Sequence, residues 1–129
     1  MELPVVNHPD YVAKINDDNK FPIKKFGALA DYLLKEGVVK KFYIPKECSI
    51  KTMQTSHSLE YINHIRNKSL DIKLQKKIGF PINDSVARRS FVATGGTVLA
   101  SKLALDYKLA CNTAGGSHHA TFDCGAGYC

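Results

Sequence analysis

The residues best suited to chemistry are concentrated in one stretch, residues 113–129. It contains four glycines, the adjacent histidines His118 and His119, and two cysteines, Cys124 and Cys129. Histidine side chains exchange protons near neutral pH, and glycines let a backbone approach a ligand closely. Such a stretch makes a poor hydrophobic core, but it is a suitable floor for an active site.

Three chemical interpretations of these residues remain open on residue type alone. His118 and His119 could act as an acid/base pair on a water or a leaving group. Cys111, His118, Cys124 and Cys129 could bind zinc, although the spacing C-x12-C-x4-C lacks the short C-x2-C unit of most structural sites. Cys124 or Cys129 could be a nucleophile with a histidine as its base. The structural alternative is that the histidines only brace a loop.

The elements that must position this stretch alternate between strand and helix. Apolar residues at helical spacing predict a helix that begins near Phe26 and ends at Gly37. Ser49 and Ser58 predict the N-caps of two short helices, and a polar surface loop is expected over residues 71–84. A long helix is predicted over residues 85–107. The predicted strands span residues 3–6, 41–44 and 109–112.

Strands that are separated by helices pair in parallel, with right-handed crossovers, so the fold class is α/β. Ligands in such folds bind at the carboxyl ends of the strands. The third predicted strand ends at Asn112, directly before the histidine-containing stretch. Gly95 and Gly96 in the long helix cost about 2 kcal/mol relative to two alanines. They therefore predict either close approach of another backbone or a break in the helix.

The bulk composition limits the function classes. A chain of 129 residues with 44% hydrophobic content suits one compact domain. The net charge is +6, but the basic residues are scattered pairs without a long run, which disfavours nucleic-acid binding. The first residues lack a signal-peptide pattern, and no apolar run approaches the roughly 20 residues of a membrane span. We therefore expect a cytoplasmic protein with free thiols and with neither a nucleic-acid nor a membrane partner.

One further pattern is specific. Residues 112–120 read Asn-Thr-Ala-Gly-Gly-Ser-His-His-Ala, and they are followed by Asp123 and by Gly-Ala-Gly-Tyr-Cys at 125–129. This order closely resembles the signature of the histone deacetylase family. Weaker matches lie upstream, and several resemble the class IV branch and its bacterial relatives. They are residues 5–11, residues 21–26, His57 with Tyr61, residues 78–81, Arg89-Ser90 and residues 95–97.

The resemblance implies an incomplete three-layer α/β/α parallel sheet of the arginase and deacetylase type. It implies a zinc-dependent enzyme that hydrolyses acetyl-lysine or other acyl-amine substrates, in which the metal activates a water. By the motif match, His118 would orient or deprotonate that water, and His119 would give a proton to the departing amine. Gly127 and Tyr128 would form the walls of the substrate tunnel, where the family usually has Phe in place of Tyr128.

The resemblance also implies that the zinc ligands of the family follow the Gly-x-Gly-Phe-Cys segment. We therefore expect residues 1–129 to form the N-terminal part of a single deacetylase domain, with no metal ligands of their own. We expect this chain to be inactive alone, and a second polypeptide could supply the rest of the domain. The alternative is a non-catalytic binding module or the relic of a split gene.

Overall fold

The computed structural model describes residues 3–129. Met1 and Glu2, which begin the segment without a signal-peptide pattern, lie outside the described residues. Seven helices and strands follow one another, with a short 3₁₀ helix at Pro9–Tyr11 between the first two. They are β1 (Val5–Val6), α1 (Lys25–Lys35), α2 (Ile50–Met53), α3 (Leu59–Arg66), α4 (Ile72–Ile78), α5 (Asp84–Tyr107) and β2 (Cys111–Asn112).

The sheet is parallel, as the alternation of elements predicts. β1 and β2 pair with Val5 opposite Cys111 and Val6 opposite Asn112. The predicted strand at residues 41–44 is reduced to a single parallel bridge between Val6 and Tyr43. β1 therefore lies between these two partners. β2 ends at Asn112, and the histidine-containing stretch follows directly in the chain.

Helix α5 packs against both strands and against the 3₁₀ helix. A Cβ atom at Gly95 would stand 3.0 Å from the backbone nitrogen of Cys48. A Cβ atom at Gly96 would stand 2.8 Å from Nδ2 of Asn112. The predicted close approach of another backbone is therefore confirmed at Gly95, whereas Gly96 lies against side chains. The helix continues unbroken through both glycines.

The predicted N-caps at Ser49 and Ser58 and the predicted helix end at Gly37 are confirmed. The hydroxyls of Ser49 and Ser58 accept hydrogen bonds from the backbone N–H groups of Thr52 and Tyr61, both at 3.1 Å. Helix α1 ends before Gly37, which adopts a φ of +69°. Such caps satisfy backbone groups that have no partner inside the helix.

The prediction of a surface loop over residues 71–84 is wrong, because helix α4 forms there. Asp71 caps its first turn by accepting a hydrogen bond from the N–H of Lys73 at 2.8 Å. Gly79, at a φ of +93°, ends it in the left-handed conformation. Ile78 is buried in the core, so tertiary packing stabilises a helix that is otherwise polar.

The core lies between α5 and the shorter helices and loops around it. Phe91 and Val92 of α5 are buried there together with Tyr11 and with Ile62 and Ile65 of α3. The end of β2 lies against the middle of α5, where Asn112 approaches Ala93 and Thr97. The candidate site is built at that place.

Candidate active site at the end of strand β2

The side chain of Asn112 fixes the end of β2 to two other elements, the 3₁₀ helix and α5. Its Oδ1 accepts a hydrogen bond from the buried hydroxyl of Tyr11 at 2.8 Å. Its Nδ2 lies 3.4 Å from the carbonyl oxygen of Ala93 and 3.4 Å from the hydroxyl of Thr97. The next residue, Thr113, donates its hydroxyl proton to Oδ1 of Asn7 at 2.7 Å. The chain therefore enters the histidine-containing stretch from a rigid point.

His118 and His119 lie together at the surface beyond this point. Their rings stack with centroids 4.5 Å apart and planes inclined by 23°. His118 has a φ of +62°, in the left-handed region that non-glycine residues rarely occupy. Both side chains are exposed, and neither imidazole has a hydrogen-bond partner among residues 3–129. Two adjacent imidazoles held in this way can accept one proton and deliver another.

Gly127 supports the second histidine. A Cβ atom at position 127 would stand 3.0 Å from Cγ of His119, and the φ of Gly127 is +52°. The carbonyl oxygen of Gly127 also accepts a hydrogen bond from the hydroxyl of Ser117 at 3.1 Å. Gly127 therefore touches a member of the histidine pair.

Tyr128 lies in an aromatic cluster. Its ring stacks on Phe21 with centroids 4.9 Å apart, and Phe80 packs at 5.3 Å. Its backbone nitrogen donates to the carbonyl oxygen of Ile78 at 2.6 Å, just before Gly79. A Cβ atom at Gly79 would meet the Tyr128 ring, so the end of α4 and this ring fit each other closely.

A cavity of about 290 Å³ lies behind the histidine-containing stretch, residues 113–129. Gly115, Gly116, Ala120, Tyr128 and Cys129 contribute to its wall, whereas His118 and His119 do not. Apolar side chains of the core form most of the remainder, including Met53, Ile62, Ile65, Ile78, Phe80, Ile82, Val86 and Phe91. The histidine pair therefore stands beside the cavity and outside its wall.

Three polar side chains of the cavity wall, His57, Tyr61 and Arg89, lie beside the site. His57 places Nδ1 2.9 Å from the carbonyl oxygen of Thr121, two residues after the histidine pair. Burial, reinforced by the charges of Cys124 and Cys129, raises the pKa of Tyr61 to about 12.

Arg89 is the third of these side chains. It is buried, and its Nε donates to the carbonyl oxygen of Tyr11 at 2.9 Å. Its guanidinium also lies 4.9 Å from the ring centroid of Phe26. Burial lowers the pKa of this guanidinium, and the neighbouring Tyr11 and Cys129 oppose that effect. The family resemblance includes His57, Tyr61 and Arg89 among the matching residues. No pattern in the sequence, however, predicts that His57 contacts Thr121 or that Arg89 contacts Tyr11 and Phe26.

The structure does not favour the two cysteine-based interpretations. Within residues 3–129, no three His, Cys, Asp or Glu side chains are grouped so that they could hold a metal ion. Cys124 points its Sγ toward the carbonyl oxygen of Gly125 at 3.2 Å and accepts from Nζ of Lys77 at 3.6 Å. Across the described residues, neither Cys124 nor Cys129 hydrogen bonds to a histidine. The four cysteines are free thiols.

Comparisons with known proteins fit this geometry. The sequence model of the histone deacetylase domain matches residues 20–129, which include the histidine pair, Gly127 and Tyr128. The chain belongs to the histone deacetylase family. An uncharacterized protein of Picosynechococcus is 40% identical to this histone deacetylase family chain over 131 residues. That match covers all of the chain and 44% of the relative. Histone deacetylase 2 of Arabidopsis thaliana is 28% identical over 84% of this chain and 30% of its own length.

The solved structures support the fold. The crystal structure of the HDA15 HD domain superposes with a TM-score of 0.79 at 17% identity and covers 100% of this chain. This match confirms the expected fold, an incomplete α/β fold of the arginase and deacetylase type. The chain spans 40% of that structure and less than half the length of the curated relatives above. Among residues 3–129, no helix has the length and apolar character needed to cross a bilayer.

Proposed function

We propose that this chain supplies the acid/base histidine pair of a zinc-dependent deacetylase that hydrolyses acetyl-lysine or related acyl amides. The stacked His118 and His119 at the end of β2, within the segment that the family model matches, carry this proposal. Deacetylation is the activity of the family. We assign the proton transfers of that reaction to His118 and His119 because of their position at the end of β2. The motif match assigns Gly127 and Tyr128 to the substrate tunnel. Gly127 contacts His119, and Tyr128 stacks on Phe21, so both residues are consistent with the proposal.

In this proposal the two histidines carry separate proton transfers. The imidazole of His118 takes a proton from the water that attacks the acyl carbonyl. The imidazole of His119 gives a proton to the amine nitrogen as the carbon–nitrogen bond breaks. Each step needs a ring that reaches solvent or substrate directly, and both rings are exposed.

Zinc would supply Lewis-acid polarisation of the carbonyl in the complete site. Residues 3–129 do not themselves fit a zinc site, since no suitable group of ligands is present among them. The zinc ligands would therefore come from a further segment of the domain, either in the same polypeptide or in a second one. The steps that this chain can carry are the two proton transfers.

The test is acetate release from an acetyl-lysine peptide in the presence of zinc. The 129-residue chain is assayed alone and after co-expression with the part of the Picosynechococcus protein outside the matched region. We expect release only from the combined sample. His118→Ala and His119→Ala are each expected to lower the rate by about 100-fold or more.

The matched control is His64→Ala. His64 is a partly exposed histidine on α3, where its Nδ1 bonds to the hydroxyl of Ser69 at 2.8 Å. Its loss should leave the rate unchanged. Release that survives loss of both His118 and His119 would contradict the proposal. Peptide binding without release in the combined sample would favour the alternative, a non-catalytic binding module.

A further inference from the structure

Arg89 is a buried cation without an anionic partner. The residue is only 8% exposed, and it lines the cavity behind the histidine-containing stretch. Within residues 3–129, no ion pair joins its guanidinium to a carboxylate. The adjacent Arg88, by contrast, pairs with Asp10 at 3.0 Å and with Glu47 at 2.7 Å. Removing a charge from water is costly unless a partner compensates for it, so the guanidinium of Arg89 is suited to binding an anion.

The guanidinium is held so that its two terminal nitrogens stay free. Its Nε donates to the carbonyl oxygen of Tyr11 at 2.9 Å, and the group packs over Phe26, 4.9 Å from the ring centroid. Neither Nη1 nor Nη2 makes a hydrogen bond in the part of the chain that the structure describes. Every side-chain nitrogen or oxygen that is sealed from solvent in that part has a hydrogen-bond partner. Both Nη atoms therefore reach open space, and the open space that this buried residue borders is the cavity.

The same cavity extends from Arg89 to the histidine pair. Gly116 and Ala120, which lie just before and just after residues 117–119, contribute to its wall. Cys129 also lines it, and a Cβ atom at Gly116 would stand 3.2 Å from Sγ of Cys129. A substrate that reacts at the histidine pair can therefore extend along this wall into the cavity toward Arg89.

The rest of the cavity suits a short carbon chain. Apolar side chains such as Ile78, Phe80, Val86 and Phe91 form most of its wall. Its volume of about 290 Å³ is nearly twice the roughly 150 Å³ of an apolar cavity that binds benzene. The methyl group of an acetyl substrate would leave most of this space empty and the guanidinium unpaired. A chain of several carbons that ends in an anion would fill the space and pair with the guanidinium.

We propose that Arg89 binds the terminal carboxylate of a dicarboxylic acyl group, such as succinyl, on the substrate amine. This inference rests on the proposed function, because it narrows the substrate class of the same site. Hydrolysis consumes one water, the acyl carbon–nitrogen bond breaks, and a dicarboxylate and the free amine leave. A planar guanidinium can offer two parallel N–H groups to a carboxylate, which is the geometry of strong, specific pairs. A neutral aliphatic acyl chain would leave the buried charge without a partner.

The experiment compares three peptides whose central lysine carries an acetyl, a succinyl or a succinamoyl group. Succinamoyl is the neutral amide of nearly the same shape as succinyl. The value of kcat/KM is measured from the appearance of the free lysine amine in the combined sample with zinc. Dissociation constants for the 129-residue chain alone are measured by fluorescence anisotropy. We expect a preference for succinyl over succinamoyl of about tenfold or more in both measurements, because hydrogen bonds to charged groups are the stronger ones.

Arg89→Met should remove this preference, and Arg89→Lys, which keeps the charge but not the planar fork, should retain part of it. Arg88→Met is the matched control, since it removes the neighbouring charge that is already paired, and it should leave the ratio unchanged. The comparison of succinyl with succinamoyl in the unsubstituted chain decides the question even if Arg89→Met does not fold. Equal values for these two peptides, or a preference that survives in folded Arg89→Met, would overturn the inference.

The released carboxylate is the other source of an anion in this cavity. If Arg89→Met slows acetate release but the unsubstituted chain does not prefer succinyl, the guanidinium serves the product, and the inference is overturned as well.

The two proposals fail in different ways. Preferential binding of the succinyl peptide, without release of any acyl group in the combined sample, would remove the proposed function and leave the carboxylate site. Acetate release with no preference for succinyl in rate or affinity would remove the inference about Arg89 and leave the proposed function.

Discussion

Gly127 packs so closely against the imidazole of His119 that an added methyl group would force the ring to shift by a few tenths of an ångström. A Cβ atom at position 127 would lie 3.0 Å from Cγ and 3.1 Å from Nδ1 of that ring. The Gly-x-Gly motif after the histidine pair thus has a local physical role. It lets the returning chain lie directly against one of the two candidate catalytic groups.

Gly127→Ala should therefore displace the His119 ring and strain the backbone. The φ of +52° alone costs an alanine about 1 kcal/mol, and the contact with the ring adds to that cost. We expect a lower free energy of unfolding by urea and a lower rate of acetate release from the combined sample. Gly115→Ala, where nothing lies within 4 Å of an added Cβ, should change neither quantity.

A second control separates strain from contact. Gly37 has a φ of +69°, but an added Cβ there meets nothing within 4 Å. Gly37→Ala should therefore lower stability without affecting acetate release. If Gly127→Ala behaves like Gly37→Ala in both measurements, the contact with His119 has no role in the reaction.

The backbone contact of α5 predicts a large effect at Gly95. Alanine is a better helix former than glycine by about 1 kcal/mol. A Cβ at this position, however, would stand 3.0 Å from the nitrogen of Cys48 and 3.1 Å from the carbonyl carbon of Lys46. We expect Gly95→Ala to destabilise the chain by about 2 kcal/mol in urea denaturation. Ser101→Ala, at an exposed position of the same helix, should leave stability unchanged or slightly higher. A stabilised Gly95→Ala variant would show that the two backbones are not in contact.

One buried phenol, Tyr11, and one partly buried phenol, Tyr61, make stability depend on alkaline pH. Burial raises the pKa of Tyr11 and of Tyr61 from 10.0 to about 12. Between these values the folded chain retains protons that the unfolded chain has lost. The contribution to stability is therefore complete below about pH 10 and is lost as the pH rises through 12.

Tyr11→Phe should remove part of this alkaline loss. At neutral pH the variant should be less stable by about 1 kcal/mol, since Oδ1 of Asn112 loses its donor. Urea midpoints at neutral and at alkaline pH give the comparison, with Tyr32→Phe, at a side chain that is 58% exposed, as the control. An alkaline loss of the same size in Tyr11→Phe and in the unsubstituted chain would rule out the contribution of Tyr11.

His57 should hold the loop that follows the histidine pair. Its Nδ1 bonds to the carbonyl oxygen of Thr121, and the N–H of Ser58 donates to the carbonyl oxygen of Phe122 at 2.9 Å. His57→Ala should speed amide hydrogen exchange at Thr121 and Ser58, because opening of this segment becomes easier. His57→Asn, whose amide can replace the imidazole donor, should restore part of the protection. Exchange that is unchanged in His57→Ala would mean that the Ser58 contact alone secures the loop.

Features that depend on neighbouring residues could be determined from the sequence. Ser49, Ser58 and Gly37 mark helix ends through hydrogen bonds and backbone angles within a few residues, so their types suffice. The alternation of strands and helices determined the parallel pairing. The spacing of His118 and His119 with the following Gly-x-Gly segment identified the family, because this pattern is specific.

Tertiary structure decided the features that join distant parts of the chain. Helix α4 depends on burial of Ile78, and the rings of Phe21 and Tyr128 meet across more than a hundred residues of sequence. Arg89 is buried because Tyr11 and Phe26 enclose it. Such contacts arise from packing in three dimensions. The helix or strand propensity of the individual residues does not predict these contacts, because each contact joins residues that are far apart in the sequence.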